Sequence, residues 1–316
     1  MKVLVTGGAG FIGSHVVDQL VQANHQVVVV DDGSTGDWRH TPDRVVKYPI
    51  SITSPDLNKV FEQEMPEVVY HLAAQIDVQR SQREPLFDAY MNIIGTLQVL
   101  ECCQFYGVRR IVYSSSAAVY GNPQYLAVDE EHPISPLSAY GLSKYTPETY
   151  IRLYHEQCRS LEYTVLRYAN VYGERQIPKG EGGVVSIFVD NMLQHRQSAI
   201  FGDGTQTRDF VHVRDVARAN VLALEAEGNQ VVNISTCEPT SVTELYKQLQ
   251  MLTGGPEALY KNKRFGDIEH SYLSNALARE RLGWEPLIPL IDGLTKTYEY
   301  SKQQLYPMDK VCSATI

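Results

Sequence analysis

The N-terminal stretch KVLVTGGAGFIGSHVVDQLVQAN leaves a chain few options. A short apolar run leads directly into glycines and then into a helical pattern. A strand–loop–helix that opens an alternating series is the first unit of a parallel sheet. Gly8, Gly10 and Gly13 satisfy G-x-G-x-x-G, and Gly7, Gly10 and Gly13 satisfy the wider G-x-x-G-x-x-G. Glycine at these places permits a tight turn, lets the backbone approach a pyrophosphate, and lets helix pack on strand. The N–H groups of the helix N-terminus then face the anion. Glycines also make turns for steric reasons alone, but position and context here favour a dinucleotide site. Asp31 ends the next strand, QVVVVDD, 18 residues after Gly13. A carboxylate there accepts hydrogen bonds from a ribose diol and repels a 2′-phosphate, which favours NAD over NADP. Asp32 suits the turn DDGSTGD equally well.

The alternation continues. DLNKVFEQE reads as a helix and EVVYHLAA as a strand; DAYMNIIGTLQVLECCQFYG reads as a long amphipathic helix and VRRIVYSSS as a fourth buried strand. LSAYGLSKYTPETYIRLYHEQC is a further helix, and YTVLRYANVYG a further strand. Apolar strands joined by helical crossovers predict a Rossmann-type, doubly wound parallel α/β sheet covered on both faces. Beyond YGERQ the regularity fades. Residues 174–183 read as a loop, GVVSIFVDNMLQHR as a helix, and AIFGDGTQTRDFVHVRD as strand and loop, while VVNIS is able to return to the first sheet. The expected organisation is an NAD-binding domain over 1–172 with 209–235, and a smaller mixed lobe over 173–208 with 236–316. No internal repeat stands out, and the last ten residues are the one candidate for disorder.

Composition narrows the function classes. The chain has 316 residues, 43% hydrophobic and 21% charged, with a formal net charge of −9. An acidic chain without a basic run does not suit general binding to nucleic-acid backbones. No apolar run approaches the ~20 residues of a membrane helix. The first residues are already strand, which leaves no room for a signal peptide. Cys102, Cys103, Cys158, Cys237 and Cys312 show no paired metal-ligand spacing, and direct neighbours such as Cys102 and Cys103 bridge poorly. Reduced thiols in a cytoplasmic protein without a metal are the simpler expectation.

The chemistry gathers around SSSAAVYG and SAYGLSK. Tyr140 and Lys144 lie four residues apart in a helix and so share a face. A free phenol ionises near pH 10, too high for an efficient base at neutral pH. An ammonium beside it favours the phenolate. A phenolate so tuned takes a proton from a sugar hydroxyl while hydride leaves the same carbon. A lone Y-x-x-x-K often marks a mere helix surface; after a dinucleotide loop and a strand ending in Ser114, Ser115 and Ser116, the catalytic reading is favoured.

At this point the chain resembles the extended short-chain dehydrogenase/reductases, and within them the NDP-sugar epimerases of UDP-glucose 4-epimerase type. The likeness runs through TGGAGFIGSH, VVYHLAAQ, NIIGTLQVLE, SSSAAVYG, SAYGLSK, LRYANVYGERQ, IFGDGTQTRDFVHVRDVA and GDIEHSYL…LGW. It implies Tyr140 as the base, Lys144 as its partner on the nicotinamide ribose, and Ser116 as the hydroxyl between substrate O4 and phenolate. Ser114 and Ser115 would then be mainly structural, with Ser114 beside the cofactor. The likeness also puts Phe11, Ile12, Ser51, Ile52, Leu72, Ala73, Ala74 and Asn92 beside NAD. Related dehydratases carry an acidic pair at the positions of Ala117 and Ala118, and related UDP-glucuronate decarboxylases a glutamate at Ala118. A methyl group moves no proton, so elimination and decarboxylation are disfavoured and oxidation followed by reduction remains.

The same likeness implies a substrate set. Asn170 would contact the sugar or its phosphates, Arg208 and Arg264 would clamp the diphosphate, Val185 would be a further substrate contact, and Phe201 would lie against the uracil; Phe201 suits a core position equally well. A planar guanidinium matches phosphate in two-point fashion. Ser271 falls where some of these epimerases carry a bulky tyrosine, so room for N-acetylated sugars is expected. The departures are Ile76 where some members carry a lysine near the phosphates, Ser51 where an aspartate is usual beside adenine, and Pro147 inside the catalytic helix. Proline there deletes a bond to the carbonyl of Ser143, typically at about 3 kcal/mol, and a kink is expected. Apolar residues on several faces of the helices near 88–106 and 138–158 are explained by burial or by the family's homodimeric four-helix bundle. The leading expectation is NAD-dependent 4-epimerisation of a UDP-hexose. The alternatives are a UDP-uronic acid 4-epimerase, another NAD(P)-dependent sugar-nucleotide oxidoreductase, and an NAD-binding sensor or scaffold.

Overall fold

The computed structural model describes residues 1–178, 183–263 and 268–305. Arg264 and the C-terminal tail therefore lie outside the described residues. The first half follows the expected alternation: β1 (Lys2–Thr6), α1 (Phe11–Gln22), β2 (Gln26–Val30), β3 (Val46–Tyr48), α2 (Leu57–Glu64) and β4 (Val68–His71). Short α3 (Val78–Arg83) and α4 (Pro85–Ala89) precede α5 (Gly95–Phe105), then β5 (Arg110–Ser116), α6 (Ala139–Gln157) and β6 (Glu162–Tyr168). The second half comprises β7 (Asn170–Tyr172), α7 (Val184–Leu193), β8 (Ala199–Phe201), β9 (Thr207–His212) and α8 (Val213–Leu222). It continues with β10 (Gln230–Ile234), β11 (Pro239–Ser241), α9 (Val242–Thr253), β12 (Leu259–Lys261), α10 (Ala276–Leu282) and α11 (Leu290–Leu305).

Seven strands form one parallel sheet in the order β10-β6-β5-β4-β1-β2-β3. Successive strands run outward from β1 in both directions, so the crevice between β1 and β4 is the topological switch point where such sheets bind ligands. Side-chain alternation along each strand creates two cores. Val3 and Val5 point to one face, against Val16, Val17 and Leu20 of α1, Val216 of α8 and Trp284. Leu4 points to the other, with Val28, Phe61 of α2, Val99 and Leu100 of α5 and Ile151 of α6. Both faces are covered, which is why these strands read as continuous apolar runs. A separate apolar cluster fills the smaller lobe, with Phe188 and Val189 of α7, Leu245 and Leu249 of α9 and Leu294 of α11.

Two elements differ from the sequence reading. YTVLRYANVYG is not one strand. It divides at Ala169, whose N–H reaches Ile234 O at 3.0 Å. β6 stays in the main sheet while β7 pairs with β9 and through it with β11. The expected long helix is interrupted as well: Pro85 starts α4, and a π-helical turn at Tyr90–Ile94 joins it to α5. VVNIS does return to the main sheet, as β10 beside β6. α6 runs on through Pro147 as one helix of 19 residues.

Candidate active site

The C-terminal ends of β1, β2, β4 and β5 open onto one cleft. Gly7 leaves β1 with φ of +69°, and a Cβ there would lie 2.7 Å from Ala73 N. A Cβ on Gly13 would lie 2.0 Å from Gly7 O. The loop is thus closed so tightly on itself and on the β4 end that only glycine fits. Gly10 is the N-cap of α1 and offers no side-chain cap. The first N–H groups of α1 are therefore open to an anion in the cleft. Asp31 is buried and accepts from Ala9 N at 3.0 Å and Gly33 N at 2.8 Å. Burial raises its carboxyl, opposed by those N–H donors. With about four accepting sites, the carboxylate keeps room for a hydroxyl of a diol. These features fit a dinucleotide such as NAD.

Gly7, Gly10, Phe11, Ile12, Gly13, Asp31, Ser51, Ile52, Leu72, Ala73, Ala74, Ser114, Tyr140 and Lys144 all line this cleft. Asn92 and Ser116 are not in its lining. Asn92 lies behind the wall, its amide accepting from Gln75 N at 2.7 Å and donating to Gln75 O and Ser143 Oγ, both at 2.9 Å. It steadies the cleft wall and α6 from within. Asp32 also lines the cleft, and its carboxylate accepts from Ser34 N at 2.9 Å in the turn. Sequence reasoning missed Ser34, Thr35 and Met91, which line it too. The turn composition around 33–36 hinted at the first two; nothing marked Met91, which the π-turn presents.

α6 carries both Tyr140 and Lys144. Ser138 caps it by accepting from Gly141 N at 3.0 Å, and Tyr140 N donates to Ser81 Oγ of α3 at 3.0 Å. Lys144 follows one turn later and is buried, with Nζ 4.8 Å from the Tyr113 ring centroid. Burial lowers its ammonium to about 8, while the Glu148 and Asp88 carboxylates oppose the shift. His71, beneath the cleft, is pushed down to about 3 by burial and by Lys144, and is therefore neutral. It spans Thr6 Oγ1 at 2.7 Å and Thr96 Oγ1 at 2.9 Å.

The three serines divide their roles. Ser114 Oγ donates to His71 O at 3.3 Å. Ser115 Oγ donates to Glu148, which is bound two-point fashion by Arg167 at 3.1 and 2.7 Å. Ser116 Oγ accepts from Ala118 N at 3.2 Å, capping the short turn Ala117–Val119. That contact occupies a lone pair and leaves the Ser116 proton free to donate.

The remaining residues belong to the smaller lobe. Phe201 lines a second hollow with Gln206, Lys263 and His270. Arg208 donates to Thr207 O at 2.8 Å and Glu269 O at 3.4 Å, and Ser271 N reaches Thr207 O at 3.2 Å. These contacts bring Arg208 and Ser271 onto adjoining segments. Asn170 is exposed at the start of β7. Val185 is not on a surface: its side chain is buried in the lobe core at the first turn of α7.

A doubly wound sheet with a glycine cradle, a ribose-type carboxylate and a Tyr–Lys pair on one cleft defines a dinucleotide-dependent enzyme of the short-chain dehydrogenase/reductase type. Residues 3–235 match the NAD dependent epimerase/dehydratase family, and the chain belongs to it. A putative UDP-glucose 4-epimerase of Methanocaldococcus jannaschii is 47% identical over 302 residues, covering 95% of this chain and 98% of that protein. The crystal structure of a UDP-glucose 4-epimerase from Thermotoga maritima with UDP-glucose superposes with a TM-score of 0.94 at 46% identity, covering 96% of this chain and 100% of the other. A UDP-N-acetylglucosamine 4-epimerase from Methanobrevibacter ruminantium, in complex with UDP-N-acetylmuramic acid, gives a TM-score of 0.91 at 30% identity, covering 96% and 98%. Among the described residues no helix is long and apolar enough to cross a membrane, and no cluster of metal-ligating side chains occurs.

Proposed function

We propose that this protein catalyses NAD-dependent 4-epimerisation of a UDP-hexose through a transient 4-keto sugar. One observation carries the reading. Tyr140 and Lys144 share a cleft wall with the glycine cradle and Asp31, while the adjoining Ala117 and Ala118 offer no acid or base. Oxidation and reduction at one carbon need a single proton-transfer group; elimination and decarboxylation need more.

NAD, when bound, supplies a hydride acceptor that later returns the hydride. The glycine loop and the α1 N-terminus hold its pyrophosphate, Asp31 its adenosine ribose, and Lys144 its nicotinamide ribose. Lys144 stabilises the phenolate of Tyr140, which takes the proton of the sugar 4-OH and later gives it back. Ser116 donates to O4 and holds it in register with Tyr140. Arg208, with Arg264 from outside the described residues, binds the diphosphate, Asn170 contacts the sugar or its phosphates, and the sugar stays free to present either face. Phe201 lies against the uracil. Serine at 271 leaves space for an N-acetyl group, so UDP-GlcNAc and UDP-GalNAc join UDP-Glc and UDP-Gal as substrates.

Tyr140→Phe tests the chemistry. Turnover should fall by about 10²–10⁴-fold with NAD retained, the usual worth of a general base. Near-normal turnover would contradict the account. A wild type that processes UDP-Gal well but not UDP-GlcNAc would contradict the open pocket at Ser271.

A second copy of the chain covers an exposed apolar stripe. Leu86, Tyr90 and Ile94, spaced at helical intervals, are 86%, 49% and 42% exposed, and Leu142 and Leu153 of α6 are 53% and 51% exposed. Two such helices from each copy make a four-helix homodimer interface. Cys102, Cys103, Cys158 and Cys237 are free thiols, which fits a reducing, cytoplasmic setting.

A further inference from the structure

Asp209 stands in β9 directly after Arg208 and is buried. Four donors converge on its carboxylate. Thr236 N at 2.8 Å and Thr236 Oγ1 at 2.7 Å meet Oδ1, while Cys237 N at 3.0 Å and Leu273 N at 3.4 Å meet Oδ2. They come from two segments distant in sequence. Thr236 and Cys237 follow β10, the edge strand of the nucleotide-binding sheet, and Cys237 is held at φ of +62°. Leu273 belongs to the segment 269–275, which reaches β9 through Thr207 N to Glu269 O at 2.9 Å and Ser271 N to Thr207 O at 3.2 Å. The same segment is tied back to β10 by Ser235 Oγ to Leu273 O at 3.0 Å and Asn275 Nδ2 to Ser235 O at 2.9 Å. One carboxylate thus joins the end of the main sheet, the strand bearing Arg208 and the segment bearing Ser271.

We propose that Asp209 is a positioning residue for substrate: it fixes Arg208 and the 269–273 segment against the nucleotide-binding sheet, so that diphosphate and sugar are held at one distance from the reactive pair. Asp209 touches neither substrate nor cofactor in this role. The consequence for substrate rests on the assignment of Arg208 and Ser271 as nucleotide-sugar contacts; the consequence for the backbone does not.

Asp209→Asn separates the two. An amide has one accepting and one donating end. Whichever way it turns, its NH₂ confronts backbone N–H groups, of Thr236 or of Cys237 and Leu273, and at least one is left unsatisfied. Amide exchange should accelerate by about ten-fold or more at Thr236 or at Cys237 and Leu273, whichever side the NH₂ faces, while the Val231 and Val232 amides in β10 keep their protection. KM for UDP-galactose should rise by about ten-fold with kcat changed by less than about three-fold, and NAD should stay bound. Should Asp209→Asn fail to fold, Thr236→Val removes a single donor and should show the same pattern at smaller amplitude. Unchanged exchange at all three of Thr236, Cys237 and Leu273 would overturn the proposal, whatever the activity. Equal losses across kcat and NAD content would overturn it too, because they report general destabilisation. A wild type inactive on UDP-galactose would refute the substrate assignment, while the exchange rates would still decide the role of Asp209.

Discussion

Lys144 is buried as a cation at a cost to the fold. Its ammonium is lowered to about 8, against about 10.5 for a free lysine. In the folded state the charged form is disfavoured, so the penalty is fully present below about pH 8 and is relieved as pH rises from there toward the unfolded value. Lys144→Met should therefore abolish turnover yet stabilise the protein by up to about 3 kcal/mol, read as a higher Tm. A lower Tm would mean that Lys144 is held mainly for structure. The wild-type pH profile should show an alkaline limb with a midpoint of about 8, where Lys144 loses its proton. At this scale much was legible. The glycines, Asp31, Tyr140 and Lys144 carry their chemistry in residue type and spacing, and the cleft gathers them. Asn92 and Val185 were not legible as they stand, because burial behind the wall or in the lobe core leaves no mark in a sequence.

Between elements, α6 is fastened to the sheet by Glu148. This carboxylate is buried, binds Arg167 of β6 two-point fashion and accepts from Ser115 of β5. Arg167 extends the chain to Tyr120 OH at 2.9 Å, and Tyr120 donates to Asn233 of β10 at 2.7 Å. Breaking one partner of a buried pair strands the other charge, typically at about 3–5 kcal/mol. Glu148→Gln should lower stability by about that amount in chemical denaturation; a loss below about 1 kcal/mol would show that the network holds no such weight. The division of β6 from β7 escaped the sequence because both halves are apolar and β-prone. Only the competing partners, β10 on one side and β9 on the other, decide where the chain leaves the main sheet. The π-turn escaped for a related reason: its residues have ordinary helical periodicity, and the inward contacts of Asn92 within it, to Gln75 and Ser143, leave no mark in the sequence.

For the whole molecule, the doubly wound sheet was legible from the alternation of apolar strands and helices, and the matched family agrees with it. The lobe was legible as the region where the alternation fades, but its internal arrangement was not, since its short strands and loops take their places from contacts such as those of Asp209. The uncovered stripe on Leu86, Tyr90, Ile94, Leu142 and Leu153 bears on assembly. Ile94→Glu with Leu153→Glu should convert a dimer to a monomer in sedimentation, with the fold retained; an unaltered sedimentation coefficient would place the interface elsewhere.

The central claim is that one carbon is oxidised and reduced again by a protein that carries its own NAD. Purified protein without added cofactor, given UDP-galactose and separately UDP-GalNAc, should convert each toward its C4 epimer, followed by proton NMR. Conversion to an equilibrium mixture is the predicted result. No change at C4 of either sugar, with NAD shown to be bound, would contradict the account.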